Sequence, residues 1–417
     1  MAACYGLQKW ADPFYWHMYK YALCMDAIPE FAFNLANIIK SIYGRNNKAI
    51  VCDLDNTLWG GIVGDDGAEN IEIGQETSVG QLYAEFQSYL KAHKDLGVLL
   101  TVDSKNDEEN ALAGLNRPDS VLKPDDFIVI KANWNPKDRN LIETAAELNI
   151  GADSMVFIDD NPAEREIVRA QVGGTIGAKV AVPEMTTPER YINVLDRSGF
   201  FEVTQFSADD LTRNEMYKAN AERAKQQASF SDYGEYLKSL EMKAEIKPFA
   251  PLYMSRIAQL TNKSNQFNLT TLRCTQADIE RVAADGNYIT LYGKLADKFG
   301  DNGMVSVVFG HTDEADKSLF HIDLWLMSCR VLKRDMEFAM MDSLVAECKS
   351  RGIAKICGYY YPTAKNKMVK DFYALHNFAK VSEDADGNAV WEREIENYEN
   401  RNHVIAVNDR AGKGAEN

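Results

Sequence analysis

Basic residues are in short supply: 46 lysines and arginines stand against 62 aspartates and glutamates, a formal net charge of -16. A surface with that excess repels nucleic acid and anionic lipid on average, so neither is expected as a partner. Cysteine is sparse and scattered. Cys4, Cys24, Cys52, Cys274, Cys329, Cys348 and Cys357 include no C-x-x-C pair and no zinc spacing, a usage expected of a reducing cytoplasm. No apolar run approaches the roughly 20 residues needed to cross a bilayer, and no basic-then-apolar signal pattern opens the chain, so a cytoplasmic location is expected. Internal repeats are also missing.

What is present is an ordinary globular composition, 46% hydrophobic and 26% charged, in 417 residues, enough for two or three cores. Residues 1–46 are rich in aromatics and end in an amphipathic stretch, Ile28 to Tyr43, expected as a helix rather than as a domain. From Lys48 a strand–helix rhythm begins. KAIVCDL reads as a buried strand, and a helix follows from the N-cap candidate Ser78 to Gly97. VLLTVDS (98–104), FIVIKAN (127–133) and SMVFIDD (154–160) read as further strands, separated by helices such as Pro136 to Leu148 and Pro162 to Gln171. Alternation of this kind implies an α/β fold with a doubly wound parallel sheet. The domain over 47–182 is followed by a polar helical connector at 183–241, a second α/β unit at 242–397 and a polar tail at 398–417. Three strand candidates stand out in the second unit: GMVSVVFGH, HIDLWLMSCRV and KICGYYY.

Asp53 and Asp55, in DLDNTLW, are two apart at the end of a buried strand, so both side chains point one way. Two carboxylates this close demand a cation or a proton between them. The bland reading is a strand-end turn rich in Asp, Asn and Thr. The other strands decide against it, because each carries a polar group at its C-terminal end: Ser104, then Lys137 just beyond the third strand, then Asp159 and Asp160. Open α/β sheets place their ligands there.

In order and type these residues resemble the four motifs of the haloacid dehalogenase (HAD) superfamily. The resemblance implies that Asp53 attacks phosphorus, that Asp55 protonates the leaving oxygen, and that Ser104 and Lys137 hold phosphoryl oxygens. It implies magnesium on Asp53, Asp55 through its backbone carbonyl, and Asp159, with Asp160 completing the acid cluster. Thr57 and Asn106 are candidate substrate contacts. Response-regulator receivers use similar residues in another order, with the acid pair before a single phosphoacceptor, and are set aside on that ground. Between Asp55 and Ser104 there is room for a Gly-rich hairpin (60–67) and one helix only, so the site is expected to be uncapped. Trp59 is read either as part of its rim or as an aromatic packed under the hairpin.

The strings DLDNTLWGGIVGDDG, SKND (104–107), NWNPK (133–137), FIDDNPAERE (157–166) and NKSNQFNLTTLR (262–273) resemble, more closely, the FkbH-like family. That resemblance implies an uncapped HAD domain followed by a GNAT-like acyltransferase domain, with residues 1–46 as the tail of a missing hydrolase-like domain. It also implies release of phosphate from a phosphorylated three-carbon acid and loading of the glyceryl unit onto an acyl-carrier protein. A plain phosphatase acting on a small phosphorylated metabolite is the alternative. In the second domain the R-x-x-G-x-G/A turn for the coenzyme A pyrophosphate reads Arg330, then Lys333 and Asp335 where glycines belong. Docking of a carrier arm is therefore preferred there to binding of free coenzyme A. Asn265, Gln266, Asn268 and Thr270 are expected to bind an acyl or glyceryl group, or else to form a loop hydrogen-bond network. Asn366 and Tyr373 match a cofactor contact and a general acid, although Tyr373 reads equally as a core aromatic. Cys52 faces away from Asp53 by strand alternation, and His17 and His93 read as core-edge residues.

Overall fold

The computed structural model of the chain describes residues 2–176, 179–204, 211–227 and 229–408. Two compact units emerge, one of Met1–Ala145 with Gly151–Phe206, the other of Ala146–Ile150 with Ser207–Asn417. The expected connector at 183–241 is therefore divided. Tyr191 and Leu195 are buried in the first core, beside Ile50, Val102 and Ile158.

The first unit is built on a parallel sheet of four strands: β1 (Ala49–Cys52), β2 (Leu99–Ser104), β3 (Val129–Ala132) and β4 (Met155–Ile158), in the order β3-β2-β1-β4. β1, β2 and β4 are buried throughout, apolar in β1 (AIVC) and β4 (MVFI) and with Thr101, Asp103 and Ser104 buried in β2 (LLTVDS). The chain moves outward from β1 to β3 and then returns to the other side of β1, so β1 and β4 flank the switch point where such sheets open a cleft at their C-terminal ends. All four predicted strands are present, each somewhat shorter than expected. The helix Ser78–Asp95 is capped one residue earlier than expected, because it is the Thr77 hydroxyl that accepts from Gly80 N (2.9 Å). The N-terminal helix runs over Ile28–Ile42.

The second unit holds a nine-stranded mixed sheet: β5 (Lys243–Lys247), β6 (Phe267–Asn268), β7 (Tyr288–Asp297), β8 (Gly300–Thr312), β9 (Leu319–Met327), β10 (Lys355–Tyr360), β11 (Ala379–Glu383), β12 (Ala389–Glu394) and β13 (Ala406–Asn408). β7, β8 and β9 are antiparallel, whereas β9 and β10 run parallel, joined through the helix Met336–Ser350. They pair only from Leu319↔Lys355 to Ile322↔Gly358 and then part, and β6 pairs with the freed end of β9. The second unit is thus α/β with a mixed sheet, as the expected α/β fold class requires. HIDLWLMSCRV stops being strand at Met327, where the chain turns toward the helix. Of the polar tail, Tyr398 and Ile405 are buried and Ala406–Asn408 adds to β5, so burial of those apolar side chains orders a segment whose composition suggests fraying. Among the described residues no helix is long and apolar enough to cross a membrane.

Candidate active site

Strand ends bring the acid cluster together. Asp53 directly follows β1, its N–H donating to Ile158 O (3.0 Å), so it is locked beside the end of β4 that carries Asp159 and Asp160. Ligand oxygens of Asp53, Asp159 and Asp160 lie within 4.8 Å of one another. Lys137, at the first turn of the helix after β3, donates to Asp159 (2.5 Å) and stands 3.0 Å from Asp53. Asp53, Ser104, Lys137 and Asp159 are all buried. Three carboxylates and one ammonium leave a net negative charge in a site nearly closed to water, which calls for a further cation with hard oxygen ligands.

Asp55 is held apart from this cluster. Its Oδ1 accepts from Trp59 Nε1 (2.9 Å) and Val63 N (3.0 Å), and its Oδ2 accepts from Asn106 Nδ2 (3.0 Å). The side chain of Asp55 is thus not among the clustered ligands, and only its backbone remains available to a cation. Trp59 is fully buried with its ring against Gly114, where a Cβ would come within 2.8 Å, so it packs under the hairpin and places Asp55. The hairpin closes between Gly60 and Glu72, paired in both directions (2.9 and 2.8 Å). Between Asp55 and Ser104 the chain otherwise contains one short turn of helix and the helix Ser78–Asp95, with no inserted domain.

The two residues expected to touch substrate are committed to the protein. Thr57 is buried and its hydroxyl accepts from Asp160 N (3.2 Å), while Asn106 spends its amide N–H on Asp55 and its carbonyl on Asp107 N (3.0 Å). Thr57 thus braces the backbone of Asp160, and Asn106 braces Asp55.

Electrostatics follow from the burial. Desolvation raises the pKa of Asp55 against the pull of its Val63 and Trp59 bonds, and raises those of Asp159 and Asp160 with added repulsion from Asp53. For Lys137, burial works to lower the pKa, but Asp53 and Asp159 outweigh it and the net shift is upward. Burial of the Cys52 thiol pushes its pKa far up, as its position facing away from the site implies.

Two further residues matter that the sequence reading passed over. Asp103, in the V-D-S end of β2, is fully buried; Asn140 Nδ2 donates to its Oδ1 (2.9 Å), and burial pushes its pKa up to about 7. A charged residue inside an apolar strand was the available signal. Arg165, in FIDDNPAERE, donates to the backbone carbonyls of Asp159 (2.8 Å) and Asp160 (2.7 Å) and so fixes the turn that presents both acids. Its signal was an arginine one helical turn after the acid pair.

In the second unit the amide-rich loop is a hydrogen-bond network. Asn268 is buried, its carbonyl accepting from Thr271 N (2.8 Å); Asn265 accepts from Arg273; Thr270 donates to Asp323 O (2.7 Å). Gln266 Oε1 is buried without a partner among the described residues. Asn366 is enclosed and donates to Asn268 O (3.0 Å) and Tyr361 O (2.9 Å), so it ties this loop to β10. Tyr373, expected as a substrate contact, is fully buried against Gly358, where a Cβ would meet its ring at 2.2 Å, and against Phe378 and Trp391. It is a core aromatic. Lys333 (φ 63°) and Asp335 (φ 59°) keep the left-handed backbone that glycines would provide, yet carry side chains into the turn.

No protein-family model and no curated protein matches the chain. Among solved structures it is similar to the N-terminal part of a Bacteroides fragilis protein containing a phosphatase domain, complexed with Mg. The two are 40% identical with a TM-score of 0.46, over 49% of this chain and 54% of that one. The chain thus spans about half the length of that structure. Two acetyltransferase structures are also similar. One is the ribosomal-protein-S18-alanine N-acetyltransferase of Escherichia coli, at 11% identity and TM-score 0.28, over 37% of this chain and 99% of that one. The other is an acetyltransferase from Thermus thermophilus, at 12% and 0.30, over 36% and 97%. The chain thus joins a parallel sheet bearing the aspartate cluster to a mixed sheet that opens between β9 and β10.

Proposed function

We propose that this chain is a magnesium-dependent phosphoryl-transfer enzyme with Asp53 as its nucleophile. The observation that carries the reading is the meeting of Asp53, Asp159, Asp160 and Lys137 at the switch point of the parallel sheet. The carboxylates of Asp53, Asp159 and Asp160 would hold Mg²⁺, which supplies charge neutralisation for the phosphoryl oxygens and for the crowded acids. Asp53 attacks phosphorus, and the bond to the leaving oxygen breaks as Asp55 gives that oxygen a proton. Water then attacks the aspartyl-phosphate while Asp55 takes a proton back, which frees Asp53. Burial moves the Asp55 pKa upward, the direction that favours a proton-donating role. Ser104 and Lys137 bind the oxygens that become negative.

The substrate of this reading is a phosphorylated three-carbon acid whose carboxyl is carried as an acyl phosphate: the carrier-protein thiol bonds to the carbonyl carbon, the C–O bond to phosphate breaks, and phosphate leaves with the thiol proton. Support comes from the lack of an inserted cap between Asp55 and Ser104 and from the second α/β unit on the same chain. A second reading, a phosphatase of a small metabolite with a degenerate GNAT-like unit, is favoured by the side chains of Lys333 and Asp335 in the turn and by the buried Tyr373.

Asp53→Asn should abolish phosphate release with the fold intact by thermal unfolding, and retention of more than about 1% of activity removes Asp53 as nucleophile. Incubation of the chain with magnesium, a phosphorylated glycerate and a carrier protein separates the two readings. A glyceryl mass gain on the carrier supports loading, and phosphate release without it supports the phosphatase.

A further inference from the structure

A second cluster of ionisable side chains lies in the GNAT-like unit, where β9 leaves β10. The last parallel pair is Ile322↔Gly358, and the next residue, Asp323, is skipped in the pairing with β8, since Gly310 pairs with Ile322 and Phe309 with Leu324. A bulge at this point re-aims one side chain. Both Asp323 oxygens meet His311 Nδ1, at 3.0 and 2.8 Å, and the bulged carbonyl is held by the Thr270 hydroxyl (2.7 Å). His321, paired across the strands with His311, stacks on it with centroids 5.2 Å apart.

The two imidazoles differ in one decisive respect. His321 uses both nitrogens, Nδ1 with the Tyr359 hydroxyl (2.8 Å) and Nε2 with Asp313 (3.3 Å), and its side chain is 15% exposed. That is how a structural histidine is satisfied. His311 uses only Nδ1, its Nε2 has no partner among the described residues, and its side chain is 37% exposed. A carboxylate on Nδ1 selects the tautomer with the proton there, which leaves the Nε2 lone pair free to take another.

We propose that His311, oriented by Asp323, is the general base for a thiol acceptor in an acyl-thioester transfer carried out by the GNAT-like unit. This deepens the acyl-transfer part of the function proposed above and rests on it. His311 Nε2 takes the proton of the incoming thiol as its sulfur bonds to the carbonyl carbon of an acyl thioester. When the tetrahedral adduct collapses, the old C–S bond breaks and the leaving sulfur receives that proton. A thiol is the matched acceptor, because thiols ordinarily ionise only about two pH units above imidazole, whereas an alcohol lies far beyond reach of an imidazole without further activation.

The test uses the full chain with S-acetyl-N-acetylcysteamine as donor and pantetheine as acceptor, following S-acetyl-pantetheine by chromatography. His311→Ala should lower kcat by roughly 100-fold or more with KM within about twofold, and added imidazole should restore at least about tenfold. Asp323→Asn should lose roughly 10- to 100-fold. His311→Asn, which keeps a donor toward Asp323, should be folded and equally impaired, so a folding defect in the alanine variant does not obscure the result. Wild-type kcat in either His311 variant, or a loss that imidazole does not repair, overturns the assignment. If the wild-type chain moves no acetyl group yet releases phosphate from p-nitrophenyl phosphate, the acyl-transfer reading falls together with the base, and the phosphoryl-transfer reading stands.

Discussion

Replacing Lys137 with methionine keeps most of the side-chain volume and removes one buried charge. The ammonium lies 3.0 Å from Asp53 and 2.5 Å from Asp159, with 3% of its side chain exposed. Each attraction is worth about 5 kcal/mol at an effective dielectric near 20. Desolvation of the three charges offsets much of that, and loss of one member of a buried pair typically costs about 3–5 kcal/mol, because the other members stay buried and unpaired. At roughly 2–4 °C per kcal/mol for a unit of this size, Lys137→Met should melt some 6–20 °C below wild type in EDTA. Its raised pKa means that the contribution is complete below the ordinary lysine value of 10.5 and is lost only above it, so the deficit should be constant between pH 7 and 9. Magnesium changes the comparison. In the variant the cation replaces the lost positive charge and should bind more tightly than in wild type, so at saturating magnesium the deficit should shrink by about 1.4 kcal/mol for each tenfold gain in affinity, while phosphate release stays at least about 100-fold impaired. Scanning calorimetry with and without magnesium reads this directly. A deficit identical in EDTA and in magnesium would refute a shared carboxylate site.

Three more outcomes can be checked. Asp159→Ala should weaken magnesium binding by at least about tenfold in titration calorimetry, and an unchanged affinity would remove Asp159 from the metal site. Asp103, with its folded pKa raised to about 7 from 3.8, binds its proton more tightly folded than unfolded. Its contribution is therefore present at low pH and lost as pH rises through about 7, so Asp103→Asn should be more stable than wild type above pH 7 by roughly 1–4 kcal/mol in EDTA and should flatten the stability curve between pH 4 and 7. A wild-type-like curve for that variant would count against the buried, proton-holding state. Free acetyl-CoA should bind more weakly than about 1 mM, since Lys333 and Asp335 put side chains where phosphate needs bare backbone; a tight complex by calorimetry would contradict that reading of the turn.

Legibility from sequence varied with the range of the interaction. The four strands of the first unit were readable because each is a short apolar run bounded by turn residues, and their polar ends lined up because a parallel sheet puts every strand's C-terminus on one edge. Asp53, Lys137, Asp159 and Asp160, singled out on that pattern, lie together in the structure. Asp103 and Arg165 were not singled out, since their importance lies in burial and in bonds to a neighbouring helix or to backbone carbonyls. For Asn106 and Thr57 the hydrogen bonds to Asp55 and to Asp160 N were not legible, because spacing places a residue near a site without saying which way its hydrogen bonds go.

The sequence by itself determined the order of elements, the cluster of acids at the strand ends and the missing glycines of the second unit's turn, all of them properties of neighbours along the chain. Tertiary structure alone decided the rest. Trp59 became the donor that holds Asp55, Tyr373 a core side chain rather than an acid, and residues 398–408 a partly buried segment rather than a frayed one. His311 meets Asp323 only because a bulge turns one side chain of β9 toward β8. Each of these depends on contacts between residues far apart in the chain, whose free energy appears only once the sheets have formed, and no local pattern carries it.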